Sequence, residues 1–506
     1  MAYDIVFFTD NATRFGHVKP LGAYRLASEL RSHGYTVKVV DFTCKLITDK
    51  KLFKTLLDTL IGENTLFVGW SSSFFGDYSL FDRKDHTLGI RTYNDMSFKY
   101  PTTEKDFSLW LKYIKKKYPK TKIVYGGAYA IESADLIDEI DYVVVGLADK
   151  SAVDLADHLS KGTPLKWRPS MAHRWKILDY DKLGQSFEFP TSLTRFEQSD
   201  HMLDGEVIPL ETSRGCMFKC KFCGYPLLGR KKTDPAYHRS EECLTEELRH
   251  NWENYKINKY IVVDDTFNET VGKLESVLRA RDRAKVDLQF SCFLRIDLLN
   301  RFPEQIPLLK DMGLKAPFFG IESFNDASSS IIGKGLPSDK VKELLGNMKV
   351  WFGQDFNIHI GLIAGLPYET HETLHRGMEW VMDKDCPVDS FRLTALSLSD
   401  RTYPSEFTLN AEKYGYKGTR DNWYNDVWTQ EEVRKIAEDY HKIAFDTGRQ
   451  RLGSAELFAM LTYGHDFSEL RKLPQKEIPW QSFKEELDQR YNKYVELLFN
   501  YEGIKI

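Results

Sequence analysis

The feature that most limits the fold is an alternation, repeated in two series along the chain, of short β-rich runs with segments of helical spacing. Parallel sheets with crossover helices read this way in sequence. In the first series the candidate strands are residues 5–9, 37–41, 66–70, 122–125 and 142–145. Between the first two, Ala23, Leu26, Ala27 and Leu30 fall at helical spacing and His33-Gly34 supplies a stop. This predicts an α/β, doubly wound, Rossmann-like domain over residues 1–162. Such sheets bind ligands beyond the carboxyl ends of their strands, where Thr9-Asp10-Asn11, Ser71-Ser72-Ser73 and Gly126-Gly127 fall. Residues 163–205 lose the periodicity and carry Pro164, Pro169 and Pro190, so they read as a linker wrapping over the surface. The second series places strands at 207–213, 260–264, 288–293, 316–320, 357–364 and 391–396, and six strand–helix units predict a partial, TIM-like barrel over 206–400. Beyond it only helical spacing remains, with Val433, Ile436, Ala437, Tyr440, Ile443 and Ala444 on one face, so 401–506 reads as a helical packing cap.

At about 150 residues per domain, a chain of 506 residues holds roughly the three domains this implies. Its 42% hydrophobic and 28% charged residues are the balance of a globular protein. A net charge of -4 and a pI near 6.4 give no broad electrostatic reason to expect nucleic acid or an anionic membrane as partner. No apolar run approaches the roughly 20 residues that cross a bilayer. The N-terminal MAYDIVFFTDN is too short and too acidic for a secretory signal, so the expected location is cytoplasmic. The cysteine count is odd, with Cys216, Cys220 and Cys223 crowded together and Cys44, Cys243, Cys292 and Cys386 scattered. That pattern favours one metal site in a reducing compartment over a disulfide framework.

The crowded cysteines lie in ETSRGCMFKCKFCGYP, residues 211–226, just after the first strand of the second series. Three thiolates in a Cys-x3-Cys-x2-Cys loop can hold three irons of a 4Fe-4S cubane and leave the fourth without a protein ligand. That open iron suits a chelating ligand, and the amino and carboxylate groups of S-adenosylmethionine form such a chelate. The loop resembles that of the radical S-adenosylmethionine superfamily in spacing and in the aromatic before the last cysteine, here Phe222, with Gly224 following. Structural zinc is the alternative, but zinc prefers four protein ligands, no second cysteine pair follows, and His238 reads as an exposed residue.

The resemblance implies further contacts to S-adenosylmethionine at successive strand ends. Asp264-Asp265-Thr266-Phe267-Asn268 resembles the acidic turn of the cobalamin-associated branch, whose carboxylate accepts from the methionine ammonium. Helix N-capping by Asp265 or Asn268 is the plainer reading of the same residues. Arg295 stands where the family binds the methionine carboxylate, a role its planar fork suits, with a simple ion pair as the alternative. Gly320-Ile321-Glu322-Ser323 resembles the signature near ribose and methionine; alternation turns Glu322 into the barrel, where it needs a partner. The run from Gly361 to Thr370, including Ile363 and Gly365, resembles the adenine-binding strand, with Tyr368 in place of a glycine.

The N-terminal domain resembles the cobalamin-binding domain fused to one branch of this superfamily. The resemblance rests on the run from Lys19 to Val37, on Val68-Gly69-Trp70-Ser71, on Ile123-Val124-Tyr125-Gly126-Gly127 and on Asp141 to Gly146. Carried over, it implies that Leu21, Gly22, Ser71, Ser73, Gly126, Gly127 and Gly146 hold cobalamin. Three features depart from the pattern. No Asp-x-His-x-x-Gly motif is present and His17 stands in the wrong context; Gly126-Gly127-Ala128-Tyr129 and Gly146-Leu147-Ala148-Asp149 replace the usual runs; and an insert spans 76–105.

The implied activity is that of an enzyme that cleaves S-adenosylmethionine reductively to a 5′-deoxyadenosyl radical, drawing electrons from a flavodoxin or ferredoxin system. The leading expectation is cobalamin-dependent methylation of an unactivated carbon in a small molecule or peptide. The alternatives are a radical rearrangement, oxidation or cyclisation without methyl transfer, and a cluster-bearing scaffold without turnover. The Trp423-Tyr424-Asn425-Asp426-Val427-Trp428 run reads as packing.

Overall fold

A computed structural model of the chain describes residues 2–10, 17–75, 104–127, 130–134, 137–170, 174–179, 189, 191–225, 227–229, 237–398, 403–419 and 422–505. Most of the 76–105 insert, with Asn11, Ala128, Tyr129, Pro190 and Pro226, lies outside the described residues.

The first sheet consists of β1 (Ile5–Phe8), β2 (Val37–Val40), β3 (Phe67–Ser71), β4 (Lys122–Gly126), β5 (Tyr142–Val145), β6 (Arg168–Pro169) and β7 (Lys176–Asp179) in the spatial order 2-1-3-4-5-7-6. All but β6 run parallel to their neighbours. Strands buried on both faces need no polar alternation, which is why Ile5–Phe8, Val37–Val40 and Tyr142–Val145 read as unbroken buried runs. Ile5 lies opposite both Val37 of β2 and Phe67 of β3, so the chain winds outward in one direction and then the other, and a crevice opens at the carboxyl ends of β1 and β3. The sheet continues past residue 162 into the expected linker. Tyr142 of β5 pairs with Lys176 of β7, driven by Trp175, Ile177 and Leu178, an apolar run buried to 4% or less and too short to show a period among its prolines.

The second sheet is β8 (Ile208–Leu210), β9 (Lys259–Val262), β10 (Gln289–Leu294), β11 (Leu314–Glu322), β12 (His359–Ala364) and β13 (Ser390–Ala395), all parallel and each bonded to the next in chain order. This is the expected open barrel. Helices such as Glu241–Tyr255, Val271–Ala284 and His371–Met382 form its outer layer, their first turns capped by Ser240, Thr270 and Thr370. Phe318 pairs with His359 and Gly320 with Gly361, so these residues share the inner face, while Phe319 and Ile360, both fully buried, pack outward. One apolar core runs from Ile5, Phe7 and Val124 of the first sheet into Ile208 and Tyr260 of the second.

The C-terminal region is helical with one addition, a hairpin of β14 (Lys417–Thr419) and β15 (Asn422–Tyr424). Its helix Ser454–Met460 plugs the amino-terminal end of the barrel: the Ser454 N–H donates to His359 Nδ1 at 3.1 Å and its Oγ to the Pro317 carbonyl at 2.9 Å. The last helix, Trp480–Tyr501, returns to the first sheet, where the Asp41 N–H donates to Tyr494 Oη at 2.8 Å and Lys38 pairs with Glu502 at 2.9 Å. No helix among the described residues is long and apolar enough to cross a membrane.

Candidate active site

A cavity of about 450 Å³ occupies the barrel interior, and the three cysteines stand in its wall. The loop that carries them is fixed at its stem by Asp264, which is 1% exposed at the end of β9. Its carboxylate accepts four hydrogen bonds, from the backbone N–H and the hydroxyl of both Thr212 and Ser213, and pairs with Lys273 at 2.8 Å. Asp264 is thereby consumed by the loop and does not line the cavity, so it is a clamp on the cysteine loop and not the expected partner of a methionine ammonium. Its neighbour Asp265 does face the cavity, and burial, with the Asp264 charge adding, pushes its carboxyl up to about 6. Neither Asp265 nor Asn268 caps the following helix, since that position belongs to Thr270. Asn268 instead holds the end of β10 through both backbone groups of Arg295, at 2.9 and 3.0 Å.

The sulfurs are surrounded by donors. The Phe218 N–H reaches Cys216 Sγ at 3.4 Å, Thr266 Oγ1 lies 3.3 Å from the same sulfur, and Arg295 Nη1 reaches Cys220 Sγ at 3.2 Å. Burial pushes the Cys216 thiol up and the Cys223 thiol up to about 12, so without a metal both stay protonated, and metal binding must release those protons. No three histidine, cysteine or carboxylate side chains among the described residues converge on one ion as zinc requires. A cubane asks for the opposite, one thiolate per iron, spread around a cage. His238 is paired with Glu269 at 2.7 Å and does not enter the cavity. The donor set, the spacing and the space therefore fit a 4Fe-4S cluster.

Above the sulfurs, Arg295 stacks on Phe218 at 4.0 Å, forks onto Asp297 at 2.8 and 3.1 Å and donates to the Gly333 carbonyl at 3.1 Å. Both expected readings of Arg295 meet here, an ion pair and a cavity-lining cation. Glu322 faces inward as alternation requires, with φ +70°, at a register shift of β11. Its partner is Lys334, 3.6 Å away, which the sequence reading did not single out. Burial pushes the Glu322 carboxyl up, and the Lys334 charge opposes it. Phe222 and Ile363 also line the cavity. Ser323, Gly365 and Gly224 do not. Ser323 donates to buried Glu369 at 2.8 Å, Gly365 packs under Trp423, and Gly224 lies against the Tyr403 backbone; in each case a neighbouring segment covers the residue. Tyr368, in the place of a glycine, keeps the left-handed turn at φ +66°.

A second cavity, of about 520 Å³, opens at the carboxyl ends of β1, β3, β4 and β5. Leu21, Gly22, Ser71, Ser73, Gly126, Gly127 and Gly146 all line it. Its depth is apolar, walled by Phe7, Phe67, Val124, Val144, Ala152 and Leu155. A Cβ on Gly22 would meet nothing within 4 Å, so the glycine holds open a space that a side chain would fill. Such a slot fits the tail and edge of a corrinoid. His17 is not in it: that ring is 0% exposed, stacked 4.4 Å from Phe42 and 3.5 Å from Glu206. An ion chain closes the slot toward the barrel, with Arg25 on Asp149 at 3.0 Å, Asp149 on Arg214 at 2.7 Å and Arg214 on Glu211 at 2.8 Å. Asp149 is the last residue of the departing Gly146-Leu147-Ala148-Asp149 run, and Arg214 lies two residues before Cys216, so the slot and the barrel cavity adjoin along the cysteine loop.

Residues 210–381, about a third of the chain, match the family model of the Radical SAM superfamily. The chain is 26% identical over 294 residues to an uncharacterized methyltransferase of Pyrococcus horikoshii, covering 54% of this chain and 60% of that protein. It is 24% identical over 226 residues to the bacteriochlorophyllide d C-8(2)-methyltransferase of Chlorobaculum tepidum, covering 44% and 48%. The chain thus spans 60% and 48% of the lengths of these two curated relatives. The radical S-adenosylmethionine methyltransferase TsrM of Kitasatospora setae, solved with cobalamin and a [4Fe-4S] cluster bound, superposes over 97% of this chain and 100% of its own at a TM-score of 0.65 and 15% identity. The cobalamin-dependent radical enzyme OxsB, solved with aqua-cobalamin, superposes over 81% of this chain and 56% of its own at 0.55 and 16% identity. The whole chain therefore shares the fold of the solved TsrM structure, first sheet, barrel and C-terminal region together.

Proposed function

We propose that this chain is a radical S-adenosylmethionine enzyme that uses cobalamin to methylate an unactivated carbon of a small molecule or peptide. The observation that carries the reading is the closeness of the two cavities along the cysteine loop: Glu211 and Arg214 line the glycine-collared slot, and Cys216, two residues on, lines the barrel cavity. When bound, the cluster supplies the electron that breaks the sulfur–C5′ bond of S-adenosylmethionine, and cobalamin supplies a carrier for its methyl group. The protein's own part is placement. Cys216, Cys220 and Cys223 hold the metal, the Asp264 clamp fixes their loop, and the donors at Cys216 and Cys220 orient and electrostatically tune the sulfurs. Asp265, Arg295 and Glu322 present the charges that meet the ammonium and carboxylate of methionine, and Ile363 offers an apolar face to adenine. Leu21, Gly22, Ser71, Ser73, Gly126, Gly127 and Gly146 hold the corrinoid by leaving it room, and an external flavodoxin or ferredoxin delivers the electron.

Two products report on the two cavities separately. Anaerobically reconstituted protein with reductant and S-adenosylmethionine is expected to form 5′-deoxyadenosine in a cluster-dependent way and S-adenosylhomocysteine in a cobalamin-dependent way. Formation of 5′-deoxyadenosine without cobalamin-dependent S-adenosylhomocysteine would reassign the chain to radical chemistry without methyl transfer, and neither product would mark a scaffold.

A further inference from the structure

The barrel cavity continues downward from the cysteine loop to the C-terminal plug, and its lower half carries polar groups that none of the motifs above account for. His359, at the first position of β12, is 6% exposed. Its Nδ1 accepts from the Ser454 N–H, which places the ring proton on Nε2, and burial with the Arg392 charge pushes its pKa down to about 3, so the ring is a neutral donor. That Nε2 is buried with no hydrogen-bond partner among the described residues. A buried donor left unmet carries its full desolvation penalty, a reason to expect a ligand there.

Two opposite charges stand in the same wall. Glu456, on the plug, reaches back so that its Oε2 and His359 Nδ1 both lie 2.4 Å from where a Cβ on Gly453 would be; only glycine admits this arrangement. Burial pushes the Glu456 carboxyl up, and the Arg392 charge on the same cavity opposes it. Arg392 of β13 lies opposite Gly361 and also faces the cavity. Two aromatic rings stand in the same wall. Phe318 packs edge-on to Phe293 at 5.1 Å and against His359 at 4.7 Å, and a Cβ at Gly361 would lie 2.5 Å from its ring.

We propose that this lower chamber is the substrate subsite and that it takes a free α-amino acid with an apolar or aromatic side chain. Glu456 meets the ammonium, Arg392 and the His359 Nε2–H meet the carboxylate, and Phe293 and Phe318 bound the side chain. The inference rests on the reading that the barrel mouth holds S-adenosylmethionine. That cosubstrate carries the same head group, but its motifs sit at Glu322 and Ile363, and four residues along β12 separate Ile363 from His359, about 13 Å of strand. His359 thus stands well below the cosubstrate's end of the chamber, with Arg392, opposite Gly361, at a level between them.

The test is ligand-observed NMR on the full-length, anaerobically reconstituted protein saturated with S-adenosylmethionine. The probes are L-phenylalanine and L-tryptophan, each with its decarboxylated and deaminated analogue. At least one amino acid is expected to bind roughly tenfold or more tighter than either of its analogues, the size of one lost charged hydrogen bond. Glu456→Gln should weaken the amino acid about tenfold and leave the deaminated acid unmoved; Arg392→Gln should leave the amine unmoved instead. Melting curves and iron content of both variants, with Glu456→Asp as a milder third, separate misfolding from loss of recognition. Equal binding of all three members of each series, no binding of either amino acid, uniform weakening of every probe by both variants, or displacement of the amino acid by S-adenosylmethionine would overturn the proposal. The reading beneath it fails separately, if wild-type protein makes no 5′-deoxyadenosine.

Discussion

The barrel cavity and the slot in the first sheet adjoin along the cysteine loop and are built on opposite terms. In the barrel the work is assigned to side chains: sulfurs on the loop, donors aimed at them, and the charges of Asp265, Arg295, Glu322 and Lys334 around the rest. In the slot it is assigned largely to the absence of side chains, with glycines at the strand ends and an apolar floor. A site made of chemistry breaks when one atom is changed. A site made of space breaks when an atom is added.

Four sets of variants press on that contrast. The largest effect belongs to the loop: alanine at Cys216, Cys220 or Cys223 should take bound iron from about four per chain to background, measured by iron and sulfide analysis. Corrinoid binding in the slot should survive all three. Next, Asp264→Asn leaves Lys273 buried beside a broken clamp, with Glu269 3.8 Å away as its remaining acid, and should cost about 3–5 kcal/mol in urea unfolding. Unchanged stability would mean the loop is held by something else.

Glu369 gives a pH signature of the same barrel edge. It is 3% exposed, accepts from Ser323 Oγ and the Gly365 N–H, and burial pushes its carboxyl from 4.5 up to about 7. A folded-state pKa above the ordinary value means that its contribution is complete below about pH 4.5 and lost as pH rises through about 7. The advantage of wild type over Glu369→Gln should therefore shrink by about 3 kcal/mol across that window, followed by chemical denaturation at fixed pH values. A gap independent of pH would contradict the assignment. In the slot, Gly22→Phe should weaken corrinoid binding roughly 30-fold, about 2 kcal/mol, with iron content intact, by absorbance titration. Gly22→Ala, meeting nothing within 4 Å, should instead stabilise its helix by about 0.5 kcal/mol in thermal melts.

The same contrast governs how much could be read in advance. Strand positions in both sheets were legible because buried parallel strands leave unbroken apolar runs, and the cysteine loop because its chemistry allows few substitutes. Strands β6 and β7 were hidden by their length and by prolines, and the β14–β15 hairpin by strands of three residues. Asp264 shows a deeper limit. A carboxylate at a strand end was visible, but whether it faces a ligand or its own loop depends on one step of side-chain direction. Lys334, His359, Arg392 and Glu456 carried no local signal, since tertiary packing alone brings the plug helix, two strands and the turn after the helix Asp326–Ile332 to one chamber.

The account stands on a cluster with one iron free to take a small-molecule ligand, and electron paramagnetic resonance of the reduced, reconstituted protein addresses that directly. Addition of S-adenosylmethionine is expected to change the signal of the reduced cluster, and the change should vanish in the cysteine variants together with the signal itself. A signal indifferent to S-adenosylmethionine, or zinc in place of iron at the three cysteines, would contradict it.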